Sequence, residues 1–144
     1  MPTLEFFTST LKQAGMRLTP QRLAICELLS ERGAHPTAVS IYERIRARYP
    51  SLALMTVYNT LRALADLGAV NVLGDAGDDA VHYDGNTSPH LNLACVSCHT
   101  IADVDSPEAA GLDRKVRGAS GFKVLGVRML VYGLCPDCQE ATGR

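Results

Sequence analysis

Two CxxC pairs, Cys95-Val-Ser-Cys98 and Cys135-Pro-Asp-Cys138, constrain this chain more than any other feature, because 36 residues lie between them. Each pair has the spacing that lets two thiolates converge on one tetrahedral zinc ion. The separation exceeds the roughly 15–20 residues of a compact zinc ribbon, so the intervening polypeptide must fold back to bring the pairs together. Four thiolates leave no open position for a substrate, and the quartet therefore reads as structural zinc. Redox-active CxxC pairs are the alternative, but neither pair sits in a thioredoxin-like strand, helix and strand context. His99, beside Cys98, is read as a surface residue because the thiolates already complete the tetrahedron. Cys26, on the apolar face of a helix, is read as a small core residue.

The start, MPTLEFFTSTLKQAG, lacks the cationic n-region and apolar run of a secretory signal. No segment approaches the ~20 apolar residues of a membrane span, which predicts a cytoplasmic protein with no membrane partner. Clustered cysteines in a reducing compartment point to metal rather than to disulfides. A length of 144 residues with 47% hydrophobic and 20% charged residues suits one globular domain or two small ones. The overall charge of −1 says little, but its distribution is uneven. Residues 1–68 carry eight Lys and Arg against five Asp and Glu, and residues 69–144 carry six against ten. Such asymmetry points to nucleic acid on one half and cations on the other. No nucleophile–base pair and no phosphate-binding glycine loop is present, so the sequence predicts no enzyme.

Leu4, Phe7 and Leu11 give residues 4–14 a helical period that Gly15 stops. Thr19-Pro20 supplies an N-cap and a first-turn proline for a helix running toward Gly33. His35-Pro36-Thr37 opens a third helix ending near Tyr49-Pro50, and residues 56–67 form a fourth, closed by Gly68. Two short helices with a tight connection, the second starting with polar and aromatic residues, predict a helix-turn-helix. Runs at 69–73 and 80–83, flanking Gly74-Asp75-Ala76-Gly77-Asp78-Asp79, predict a hairpin and hence a wing. Beyond a linker at 84–90, short strands at 91–94 and near Ile101, a helix at 107–117 and a long β-prone run at 122–132 predict a small α+β domain. The expected organisation is α+β: a winged helix-turn-helix domain over 1–83, a hinge over 84–90, and a second domain over 91–144 holding the four-cysteine zinc site.

On the fourth helix Tyr58, Asn59 and Arg62 share a face at spacings of three and four, suited to thymine methyls, a base edge, and a guanine or phosphate. Packing of Tyr58 in the domain core is the competing reading. Thr56 is read as an N-cap or phosphate contact, and Arg17 and Arg22 as phosphate contacts.

Leu18-Thr19-Pro20-Gln21-Arg22, His35-Pro36-Thr37-Ala38, Thr56-Val57-Tyr58-Asn59-Thr60-Leu61 and the two CxxC pairs together resemble the ferric uptake regulator (Fur) family of bacterial repressors. The resemblance covers nearly the whole chain and is greatest to the peroxide-sensing repressor (PerR) branch. It implies a homodimer, joined through the C-terminal α+β domain, on double-stranded DNA with an AT-rich inverted repeat. It also implies structural Zn(2+) and a regulatory Fe(2+) or Mn(2+) near the hinge, held at positions that match His35, Asp84, His90, Asn92 and Asp103. Asp103 stands where iron-sensing members more often have Glu. Asn92 departs from the family's histidine, giving a harder donor set and allowing His82 as a substitute ligand. By the same resemblance, peroxide oxidises a histidine ligand, His35 or His90, and the loss of metal releases DNA. A manganese- or iron-concentration sensor without a peroxide response is the alternative within the family.

Overall fold

Side-chain caps decide where most helices of the first half begin. The structure is a computed structural model that describes residues 2–124 and 127–143. Thr3, Thr19 and Thr37 each occupy an N-cap in extended conformation, and each hydroxyl accepts from a backbone N–H three residues on. They start α1 (Leu4–Gln13), α2 (Pro20–Leu29) and α3 (Ala38–Ile45). Ser40 returns the bond to the Thr37 N–H, closing a capping box. α4 (Leu54–Asp66) differs, because its N-cap is Ala53 and no side-chain cap bond is made. The packing of Leu52 and Val57, both buried, sets this start instead. Thr56 therefore lies inside the first turn and is not an N-cap.

Two compact units make up the chain. The first comprises residues 1–72 and 81–87, and the second residues 73–80 and 88–144. In the first, Phe7, Leu11, Ile25, Leu29, Ile41, Val57, Leu61 and Leu64 are fully buried in one cluster. Burying each contributes about 1.5–3 kcal/mol. Cys26 belongs to this core, and burial pushes its thiol up to about 12, so it is inert at neutral pH. The strands β1 (Asn71–Leu73) and β2 (His82–Asp84) pair as a two-stranded sheet. Helices followed by this hairpin are the winged-helix arrangement expected from the sequence.

The second unit is a three-stranded sheet in the order β4-β3-β5, built from β3 (Leu91–Cys95), β4 (Ile101–Val104) and β5 (Leu130–Gly133). β4 runs antiparallel to β3, and β5 runs parallel to it after a crossover that contains α5 (Pro107–Ser120). A short α6 (Pro136–Thr142) follows β5. One face of the sheet packs Ala94, Ile101 and Leu130 against Leu73 at the end of β1 and Ala76 in the hairpin connection. The predicted strand over 122–132 is not continuous. Residues 122–124 and 127–129 are irregular, 125 and 126 lie outside the described residues, and only the end of the run is strand. β5 finds a ladder partner only along Asn92–Cys95, and β propensity without a neighbouring strand makes no strand.

Candidate metal centres

The parallel pairing of β3 with β5 closes the long gap between the CxxC pairs. Cys95 ends β3 opposite Gly133, and the Val96 N–H donates to the Gly133 carbonyl at 3.0 Å. Cys98 lies in the turn after β3, Cys135 is the N-cap of α6, and Cys138 stands in its first turn. The four sulfurs lie within 4.8 Å of one another, with Cys98 Sγ and Cys135 Sγ 3.9 Å apart. A tetrahedral zinc with Zn–S bonds near 2.3 Å needs sulfurs about 3.8 Å apart, so the cluster fits a zinc site. All four cysteines are free of disulfides.

Backbone donors prepare the site for a cation. The Cys135 N–H reaches Cys95 Sγ at 3.4 Å, and this bond, with others from Cys98 and Ser97, holds the Cys95 thiol down to about 5. The Thr100 hydroxyl likewise lowers Cys98. A bond from Ser97 favours the Cys138 thiolate, yet the sulfurs of Cys135, Cys95 and Cys98 together push that thiol up to about 12. Four sulfurs this close cannot all be anionic without a metal. His99 stays outside the cluster. Its Nδ1 pairs with the Ala76 carbonyl at 2.9 Å, and its backbone is left-handed, with φ 65°.

A second kind of centre occurs once in each unit. In the first unit His35, on the connection between α2 and α3, faces Asp84 at the end of β2, with Nε2 3.7 Å from Oδ2. Both side chains are nearly inaccessible. Asp84 Oδ1 accepts from the Asn86 N–H at 2.9 Å, which orients the carboxylate. Gly85 lets this turn approach the core, since a Cβ there would lie 2.7 Å from the Leu29 carbonyl oxygen.

In the second unit, His90 and Asn92 alternate onto one face, and the antiparallel register sets Asn92 directly across from Asp103. His90 Nε2 lies 3.2 Å from Asp103 Oδ1 and 3.2 Å from Asn92 Oδ1. Its Nδ1 faces the Ser88 carbonyl at 2.6 Å, so Nδ1 donates there and Nε2 is the end of the ring turned to Asn92 and Asp103. The Asn92 amide nitrogen donates to the Met129 carbonyl at 3.1 Å, which turns Oδ1 toward His90. One nitrogen and two oxygens thus converge, a set of potential ligand atoms that fits a hard or borderline divalent cation. The carbonyls of Ser88 and Met129 that orient these ligands were illegible in the sequence, because a main-chain acceptor has no side-chain signature.

The residues expected to meet DNA fall on accessible parts of the first unit. Tyr58, Asn59 and Arg62 are exposed on α4, so Tyr58 does not pack in the core. Thr56 is half-buried, and Arg17 is exposed. Arg22 is half-buried, and its Nη1 donates to the Arg17 carbonyl at 2.6 Å, bracing the connection between α1 and α2.

Helices that carry a wing, followed by a small sheet with a four-cysteine cluster, define a class of two-unit metal-responsive regulators. The chain matches the model of the Ferric uptake regulator family over residues 13–132. It is 37% identical over 137 residues to the peroxide-responsive repressor PerR of Staphylococcus aureus, covering 95% of this chain and 92% of that protein. Among solved structures it resembles PerR from Streptococcus pyogenes, studied for peroxide sensing and gene regulation, at 31% identity. That match covers 96% of this chain and 95% of the other, with a TM-score of 0.53. The ferric uptake regulator of Helicobacter pylori shares the fold with a TM-score of 0.74 at 22% identity, covering 96% and 95% of the two chains. The chain belongs to the ferric uptake regulator family.

Proposed function

We propose that this chain is a metal-dependent, peroxide-responsive transcriptional repressor acting in the cytoplasm. One observation carries the reading: each compact unit holds a buried histidine against a carboxylate, His35 with Asp84 and His90 with Asp103. A single Fe(2+) or Mn(2+) gathered by His35, Asp84, His90, Asn92 and Asp103 would tie residues 1–83 to residues 91–144 through the segment 84–90. DNA affinity would then follow metal occupancy, because an ion bound by ligands from both halves would couple its site to the DNA-binding half. Zn(2+) at Cys95, Cys98, Cys135 and Cys138 holds the sheet together and stays in place.

Fe(2+), when bound, would supply the one-electron chemistry that cleaves the O–O bond of peroxide, with no net change in the iron, so that one peroxide is the two-electron oxidant of the ring. The chain supplies everything else. His35 and His90 offer imidazole rings at the site, and an oxidised ring gains one oxygen atom while water leaves. A ring so altered is a poorer ligand, so the metal and then the DNA are released.

A homodimer on an inverted repeat rich in AT pairs completes the proposal. Leu93, Ala102 and Val131 lie side by side across the open face of the sheet, all exposed, and Leu112 and Val116 add a stripe along α5. An apolar face of this kind suits a second copy of the chain. In each copy α4 presents Tyr58, Asn59 and Arg62 to a major groove, with Thr56, Arg17 and Arg22 toward the phosphates.

The deciding experiment is mass spectrometry of Fe(2+)-loaded protein after exposure to peroxide. One added oxygen atom is expected on the peptide that carries His35 or His90, in step with loss of DNA binding. Asn92 favours a second reading, because it removes one imidazole from the ligand set. If neither peptide is modified while DNA binding still follows added Mn(2+) or Fe(2+), the protein is a sensor of metal concentration alone.

A further inference from the structure

Among the described residues, His82 is the one buried histidine outside the two histidine–carboxylate pairs, at 7% exposure. It stands two residues before Asp84 on β2, so strand alternation puts both side chains on one face. Its Nδ1 lies 2.7 Å from the carbonyl oxygen of His35, 47 residues away in sequence. A carbonyl only accepts, so Nδ1 must carry the proton and donate it. The next residue repeats the attachment, because the Tyr83 N–H donates to the Pro36 carbonyl at 2.8 Å. Two successive bonds therefore fasten the His35-Pro36 backbone to the strand that bears Asp84.

His35 needs this fastening. It lies between α2 and α3, outside either helix, and no ladder fixes its backbone. The His35 ring nonetheless meets Asp84 with 4% of its side chain accessible. Holding the carbonyl of the same residue sets the direction of its Cα–Cβ bond, the base from which the ring reaches Asp84.

We propose that His82 is a positioning residue for the regulatory metal: through its Nδ1 it holds the His35 carbonyl, and with it His35, in ligating orientation. The inference rests on the regulatory site proposed above. It differs from the reading in which His82 replaces the histidine missing at position 92, because that role needs the Nε2 end of the ring rather than Nδ1.

Two amide substitutions separate the ends of the ring. Asn places its Nδ2 where His carries Nδ1, so His82→Asn keeps the donor to His35 and lacks anything at the Nε2 position. Gln places its polar group near the Nε2 position and loses the Nδ1 donor. The test is Mn(2+) titration of the zinc-loaded full-length protein, followed by electron paramagnetic resonance, with the melting temperature recorded before Mn(2+) is added. For His82→Ala and His82→Gln, the expected loss of Mn(2+) affinity is about 10- to 100-fold, the range for residues that orient ligands. His82→Asn should stay near wild type, with the zinc content of all three unchanged. Overturning results are a His82→Asn variant as weak as His82→Ala, a His82→Ala variant as tight as wild type, or a ligand nitrogen lost from the Mn(2+) spectrum of His82→Asn. A wild-type protein that takes up no metal beyond zinc overturns the regulatory site itself, and is distinguished by needing no variant to observe.

Discussion

The side-chain oxygen Oδ1 of Asn92 lies 3.2 Å from Nε2 of His90, and the Asn92 side-chain nitrogen donates to the Met129 carbonyl. The side chain therefore offers oxygen, not nitrogen, to whatever His90 and Asp103 bind. Replacing it with imidazole softens the set toward zinc. Asn92→His should raise the preference for Zn(2+) over Mn(2+) by at least about tenfold, or ~1.4 kcal/mol. Competitive titration with a chelating indicator reads the ratio, and an unchanged ratio would place Asn92 outside the ligand set.

Loading zinc into the metal-free protein should release fewer protons than the four thiols could supply. Cys95 is held down to about 5 by the Cys135 N–H and is already a thiolate at neutral pH. Cys138, pushed up to about 12, still carries its proton. Zinc must displace that proton, so affinity climbs as pH rises through neutrality. Calorimetry in buffers of different ionisation enthalpy counts the protons. Release of all four at pH 7 would contradict the preparation of Cys95 by the backbone.

Gly85 has no room for a side chain. A Cβ would stand 2.7 Å from the Leu29 carbonyl oxygen and 2.9 Å from Phe7 Cζ. Gly85→Ala must push the turn away from α1 and α2, at a cost of about 1–3 kcal/mol typical of overpacking. Asp84 moves with its neighbour, so Mn(2+) affinity should fall along with the melting temperature. Thermal unfolding followed by circular dichroism checks the first effect, and an unchanged midpoint would mean that the core yields without strain.

Arg62 and Arg17 should differ in kind on DNA. Arg62→Ala, on the exposed face of α4, is expected to cost about 1–3 kcal/mol and to relax preference at one base pair. Arg17→Ala should weaken all sequences alike and reduce the salt dependence by about one counterion. Fluorescence anisotropy on matched and scrambled operators at several salt concentrations separates them. Identical behaviour of the two variants would remove Arg62 from base reading.

Local chemistry made much of the fold legible. Thr19-Pro20 and Thr37 start helices because a hydroxyl and a fixed φ satisfy the first turn wherever they occur. The hairpin followed from two β-prone runs around a turn-rich segment. The quartet of cysteines could be read as a zinc site from spacing alone, since thiolates two residues apart already favour a shared ion. The resemblance to a family then supplied His35, Asp84, His90, Asn92 and Asp103, which spacing alone would have left as a helix-entry residue, loop carboxylates and strand polar groups.

What remained depended on partners distant in sequence. α4 begins at Leu54 because Leu52 and Val57 pack there, against the local signal of Thr56. β5 is only four residues long, matching the four residues Asn92–Cys95 along which it pairs with β3. α6, with Cys138 in its first turn, was not anticipated. Asn92 points its oxygen inward only because Met129 takes its nitrogen, and His82 turns its proton to His35 across 47 residues. The sequence by itself determined which atoms are available to hold metal, since donor chemistry belongs to residue type. Which way those atoms face was decided by tertiary structure alone, through main-chain carbonyls that every residue carries and that only folding brings into place.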